Sequence, residues 1–323
     1  MKMIRAISIL AFAVLAATAA QAQNYPIKPI KIIVSTSAGG VTDLTARILG
    51  QYITAKTGQT VVIDNRAGAS GNIAMDALAK AEPDGYTFGV ANTGNIVINP
   101  YLFHNMGFDP LKDLVPIGVL GTVPLFLIEN ATVPTKDLQE FVAYTKTNPD
   151  KISYASAGAG TTPDLAAYEF GRRAGLKLVM VPFRGTGPAV TAVLVGDVQV
   201  TFASMGPHIE FVRQGKLRVL GAATPKRVSY LPDVPTFGEQ GFPGFETSTW
   251  FAAFAPRGTP KAIVDQLNGY IRDMVQDADA KRRLEANFVD LSMVMTAPEF
   301  AALVTADAAK WERIVRENGI KLE

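Results

Sequence analysis

From Ile30 to Gly221 short apolar runs alternate with amphipathic stretches that end at glycine or proline, a pattern that restricts the chain to parallel sheet covered by helices. The spacing predicts strands at 30–34, 60–64 and 86–91, separated by helices at 43–56 and 73–81. In the first of these helices Leu44, Ile48, Leu49, Tyr52 and Ile53 share one face, and Gly58 closes it. The pattern resumes with helices at 138–146, 164–174, 189–195 and 207–214 and strands at 152–155, 178–181, 198–203 and 217–221. Between the two runs, 114–120 and 125–128 read as strands that cross from one lobe to another. The tail adds helices near 261–276, 279–287 and 298–318.

About 300 residues after leader removal exceed the usual size of a single core, which favours two lobes. The expected division is 23–125 plus 224–323 for the first lobe and 126–223 for the second. Residues 1–22 read as a signal peptide, with Lys2 and Arg5, an apolar stretch from Ile7 to Ala17, and Ala20-Gln21-Ala22 as the cleavage site. That stretch is shorter than the roughly 20 residues a membrane span needs, so a soluble exported protein is expected. Removing Lys2 and Arg5 balances basic against acidic side chains, and nothing suggests nucleic acid.

In an open α/β sheet ligands sit beyond the carboxyl ends of the strands, so the turns there are the candidate sites. Ser35-Thr36-Ser37-Ala38-Gly39-Gly40 leads from a strand into a helix and presents hydroxyls and bare amides, a seat for a carboxylate or phosphate. Ser156 to Asp164 repeats the design, with Gly158, Gly160 and Thr161, then Thr162 as N-cap and Pro163 at the first helical position. Pro182-Phe183-Arg184-Gly185 forms a third such turn, where Arg184 could clamp an anion or tie down its loop. Asp43 and Asp164 stand in first helical turns, and Asp43 is placed to pair with Arg47.

Catalytic chemistry finds less support. The chain has no cysteine, which removes thiol nucleophiles and thiolate metal sites. Gly158 to Pro163 begins like a dinucleotide fingerprint but ends in proline, and no phosphate loop of the Gly-Lys-Ser/Thr type occurs. His104 and His208 are the two histidines, and both read as surface or capping residues. No cofactor and no metal site is expected.

Tyr25-Pro-Ile-Lys-Pro, Gly39-Gly40-Val-Thr-Asp43, Asn65-Arg66-Ala-Gly68-Ala-Ser-Gly71 and Pro83-Asp84-Gly85-Tyr86 open a series of ordered motifs. Tyr154-Ala-Ser156-Ala-Gly158, Val181-Pro-Phe183-Arg184-Gly185, Gly196-Asp197-Val-Gln199, Asp233-Val-Pro-Thr236 and Ala255-Pro256-Arg-Gly258-Thr-Pro260 continue it. Across the whole mature chain the sequence resembles the Bug family of periplasmic solute-binding proteins of tripartite tricarboxylate transporters.

The resemblance implies a type II periplasmic binding protein: two α/β lobes joined by two crossing strands and closing over a small organic acid. One carboxylate would lie at Ser35–Gly40 with Asp43 behind, the second at Ser156–Thr162, with Asn92, Thr93 and Ser204 as further contacts. It also implies a non-enzymatic monomer that delivers its ligand to membrane permease subunits, with a sensor kinase as a further partner. An exported α/β enzyme acting on organic acids and a sensor for a two-component system are the alternatives. The chain departs from the family at Pro163-Asp164, where Pro-His is usual, and at Phe183, where Tyr is common. An acid facing the cleft at Asp164 would repel a second carboxylate, favouring a ligand with one carboxylate plus an amine, amide or hydroxyl.

Overall fold

The computed structural model describes residues 25–317, apart from 104, 150, 157, 159, 184, 185, 229 and the side chains of 186 and 187. The leader, His104 and Arg184 lie outside the described residues. Among those described, ten strands are formed: β1 (Ile30–Val34), β2 (Val61–Asn65), β3 (Thr87–Asn92), β4 (Leu114–Pro124), β5 (Phe126–Asn130), β6 (Ser153–Ser156), β7 (Val179–Pro182), β8 (Val200–Ala203), β9 (Leu217–Ala222) and β10 (Ser248–Pro256).

They make two five-stranded sheets, in the orders β2-β1-β3-β10-β4 and β7-β6-β8-β5-β9. The predicted parallel pairs form: β1 lies parallel to β2 and β3, and β6 to β7 and β8. Each sheet is nevertheless mixed, because β10 runs antiparallel to β3 and β4, and β5 antiparallel to β8 and β9. A strand arriving from the other sheet enters at the end where its neighbours finish, so it must run against them: Asn92, the last residue of β3, pairs with Phe251 near the start of β10. The spacing did not predict β10, although its run Trp250-Phe-Ala-Ala-Phe254 is aromatic and apolar.

The two-residue period of the strands sends neighbouring side chains to opposite faces, and each sheet carries a core on both. Ile32 and Val34 pack with helices Val41–Thr57 and Lys261–Met274, while Ile33 packs with helices Asn72–Ala79 and Ala297–Glu317. In β10, Phe251 and Ala253 join the first of these cores and Trp250, Ala252 and Phe254 the second. Phe170, Phe202, Phe237 and Phe245 form an aromatic cluster on one face of the other sheet, with ring centroids 4.5 to 5.9 Å apart where Phe245 meets the other three. Val228, Phe237 and Phe245 therefore pack on the second sheet, although the expected division begins the return to the first lobe at residue 224.

The sheets meet at a narrow waist. Leu125 separates β4 from β5, and its amide donates to Thr247 O at 3.3 Å; the Thr247 amide donates to Ala223 O at 2.9 Å, and the Ala223 amide to Leu125 O at 2.8 Å. Three chain passages are thus closed into one ring of backbone hydrogen bonds.

Candidate functional site

Two of the three predicted turns border one cavity of about 420 Å³. From the first sheet come Ser35, Thr36 and Ser37, the turn 67–71, and Asn92, Asn95 and Asn99. From the second come Gly160, Thr161, Thr162 and Pro163, with Thr249 of β10 between. None of the described lining residues carries a charge. Hydroxyls, amides and backbone share the wall with the apolar side chains of Ala67, Leu102, Phe103 and Pro163, and such polar groups can hold a carboxylate by dipoles instead of by a salt bridge.

Asn95 organises the first half of this wall. Its Oδ1 accepts Ser35 Oγ–H at 2.7 Å and the Asn92 amide at 3.0 Å, while its Nδ2 donates to Ser70 O at 2.6 Å. Asn99 Nδ2 also donates to Ser70 O, at 3.0 Å, and to Asn72 Oδ1 at 2.6 Å. Ser70 is held in a left-handed conformation, φ +52°, with Ala69 at +45° and Gly68 and Gly71 at +125° and +87°. A Cβ on Gly71 would lie 2.3 Å from Asn95 Nδ2, so glycine there is a condition for Asn95 to sit where it does. Thr36 Oγ1 is buried at the cavity wall and has no partner, a hydroxyl left for something not made by the chain itself.

The acids behind the turns do different work from that expected of Asp164. Asp43 Oδ2 accepts the Gly39 amide at 2.9 Å and Arg47 Nε at 2.8 Å, and its Oδ1 accepts Asn65 Nδ2 at 2.9 Å. Burial pushes its pKa up, but these bonds from Arg47, Gly39 and Asn65 outweigh burial and hold it below the usual carboxylate range. Asp164 is 1% exposed; its Oδ2 accepts the Gly160 amide and its Oδ1 the Tyr154 hydroxyl, both at 2.9 Å. Burial raises its pKa, and among the described residues no cation answers its charge as Arg47 answers Asp43. Asp164 therefore turns inward as a brace of its loop and does not face the cleft, which removes the argument against a second carboxylate drawn from it.

Several other expected contacts do not line this cavity. Ala38, Gly39, Gly40, Ser156 and Gly158 stand outside its lining: Ser156 Oγ accepts the Gly158 amide at 3.3 Å, and Gly158 O accepts Thr161 Oγ1–H at 2.8 Å. The helix Thr162–Ala174 is capped by Thr161 and not by Thr162, and no side-chain cap bond forms there. Thr93 Oγ1 accepts the Trp250 amide at 2.9 Å and so fastens β3 to β10. Phe183 packs into a core of the second sheet, and its amide donates to Ser156 O at 2.8 Å. Ser204 borders a smaller chamber of 120 Å³ that shares Pro163 and Thr249 with the main cavity.

Sequence reasoning passed over Ser70, Asn95, Asn99 and Thr249. The signal was partly present in Gly68-Ala-Ser-Gly71, since glycines flanking a serine after a strand mark a turn with positive φ. His208 was expected as a surface or capping residue; it stands at the N-cap of helix Ile209–Arg213 but is fully buried, its Nδ1 2.8 Å from Ser204 O. A larger cavity of 790 Å³ adjoins the waist at Thr122, Thr224 and Thr247. It mixes Lys226, Arg227 and Lys310 with Glu246, Glu285, Asp290 and Asp307 and receives none of the three predicted turns.

Residues 45–320 match the family described as the tripartite tricarboxylate transporter family receptor, TctC. The chain belongs to this receptor family. It is 34% identical over 303 residues to protein BugT of Bordetella pertussis, covering 94% of this chain and 93% of that one. Among solved TctC-like structures, Rpa4515 of R. palustris with adipate superposes with a TM-score of 0.81 at 31% identity, covering 92% of this chain and 99% of that one. MatC from Rhodopseudomonas palustris with bound malate gives 0.77 at 32% identity, covering 90% and 100%. The two-lobed fold is that of periplasmic binding proteins, and both family and fold are those of solute-binding proteins, not enzymes. Among the described residues no helix is long and apolar enough to cross a membrane.

Proposed function

We propose that the protein captures a small organic acid in the 420 Å³ cavity and hands it to the membrane permease subunits of a tripartite tricarboxylate transporter. The observation that carries this reading is the cavity wall itself: uncharged hydroxyls and amides from both sheets, braced by Asp43 and Asp164 from behind. Support comes from relatives of the same fold solved with adipate and with malate. One carboxylate rests at Ser35–Ser37 and Asn95, and the opposite end of the ligand meets Gly160–Pro163. In this reading the leader is cleaved near Ala22, the mature protein works as a periplasmic monomer without cofactor, and a sensor kinase is a second listener. The lobes are 23–125 with 248–323, and 126–247, the segment 224–247 going with the sheet on which it packs.

A thermal-shift screen of the mature protein against mono-, di- and tricarboxylates, aromatic acids and amino acids tests the proposal. A ligand at 100 times its dissociation constant adds about 2.7 kcal/mol to stability. Stabilisation by a subset of carboxylates is the expected result, and a flat response to all of them would sink the reading.

A further inference from the structure

The 120 Å³ chamber continues the main cavity past Pro163 and Thr249, and its walls come from both sheets. Val41, Val123, Leu125, Val190, Phe202 and Phe251 make it largely apolar, Thr201, Ser204 and Thr249 add hydroxyls, and no described residue on it is cationic. His208, fully buried, is part of its lining. Its Nδ1 lies 2.8 Å from Ser204 O, and because a carbonyl only accepts, Nδ1 carries the ring proton. The lone pair is therefore on Nε2, which is buried and without a partner among the described residues. Burial lowers the imidazole pKa to about 4, so at neutral pH the ring is uncharged and Nε2 remains an acceptor.

We infer that this chamber takes the uncharged, apolar end of the captured acid, and that this end carries a hydrogen-bond donor for Nε2 of His208. The inference rests on the main cavity being the carboxylate seat. A second ionised carboxylate in the chamber would set negative charge against the lone pair of His208, among largely apolar walls, with the hydroxyls of Ser204 and Thr249 and no described cation to answer it. A hydroxyl or an amide N–H relieves the unpaired acceptor instead, and the apolar walls cover the carbon chain or ring that joins it to the carboxylate. The ligand class is thus a monocarboxylate with a hydrogen-bonding, neutral far end.

Matched acids separate this from other outcomes. Calorimetric titrations at pH 7 compare 6-hydroxyhexanoate with heptanoate and 4-hydroxybenzoate with 4-methylbenzoate, with adipate as the dianion. The hydroxylated member of at least one pair should bind about tenfold or more tighter, the scale of one hydrogen bond to a buried group. In His208→Leu that difference should collapse, and in His208→Gln, which retains an acceptor, it should return in part. Should the leucine variant fail to fold, the wild-type pairs decide alone. Equal binding within both pairs, or adipate binding tighter than both hydroxy acids, overturns the inference while leaving the carboxylate seat intact. Failure of every acid to bind removes the seat itself and the inference with it.

Discussion

The Gly160 amide donates to Asp164 Oδ2 at 2.9 Å, and across the cavity the Gly39 amide donates to Asp43 Oδ2 at the same distance. The two turns are tied by one device, a carboxylate four residues on that reaches back to a glycine. The surroundings differ: Asp43 has Arg47 and Asn65, whereas Asp164 has the Tyr154 hydroxyl and no cation among the described residues.

That difference predicts opposite responses to the same substitution. Asp43→Asn sets an amide N–H against Arg47 or Asn65, where only donors await it, and should cost about 1–3 kcal/mol at pH 7. Asp164→Asn can still accept from Gly160 and can donate to the Tyr154 oxygen while removing a buried charge, so its Tm should stay level or rise. Thermal melts of the two variants check this; a large loss in Asp164→Asn would mean that its negative charge is needed.

Gly71→Ala should cripple binding more than folding. The added Cβ lies 2.3 Å from Asn95 Nδ2 and 3.1 Å from Ser35 Cβ, at a φ of +87° that alanine tolerates poorly. We expect a cost of about 1–3 kcal/mol in stability and loss of carboxylate stabilisation in the thermal-shift assay. A variant that binds as the parent does would separate this turn from the ligand.

Asn95→Ala removes three hydrogen bonds at once, those to Ser35, Asn92 and Ser70. Carboxylate affinity should fall about 10- to 100-fold, the equivalent of one or two lost polar interactions. Titration calorimetry reads the change, and unchanged affinity would place the carboxylate elsewhere.

Stability should decline as pH falls from 6.5 toward 4. His208 keeps its proton off down to about 4 in the fold but takes it up near 6.5 when unfolded, so in this window the unfolded chain binds more protons and stability rises with pH. Asp164 acts in the opposite sense, since its raised pKa lets the fold gain as pH falls through it. Comparing the slope of Tm against pH in the parent and in His208→Leu isolates the histidine; equal slopes would show that the ring is charged or solvated in the native state.

The parallel units were legible because each is local: an apolar run, a turn of small residues, a helix with one apolar face. β10 was not, since its partners β3 and β4 lie more than a hundred residues earlier and its direction is set by the route of the chain across the waist. The turns at Ser35–Ser37 and Gly160–Pro163 could be read from their residues, but which atoms they offer could not. Asp164 shows why. A carboxylate at a helix start serves as well for bracing a glycine amide as for facing a ligand, and only burial and partners separate the two. Asn95 carried no pattern at all, its role arising from contact with Ser35 and Ser70, 60 and 25 residues away.

The waist has a consequence for how such a receptor measures what it holds. Leu125, Ala223 and Thr247 are stitched together at a single level, so a swing of one lobe against the other would leave this ring as a fixed point. A cavity framed by two arms on one pivot translates the length of its occupant into an angle. What a membrane partner would meet, then, is a pair of surfaces whose tilt would follow the size of the molecule between them.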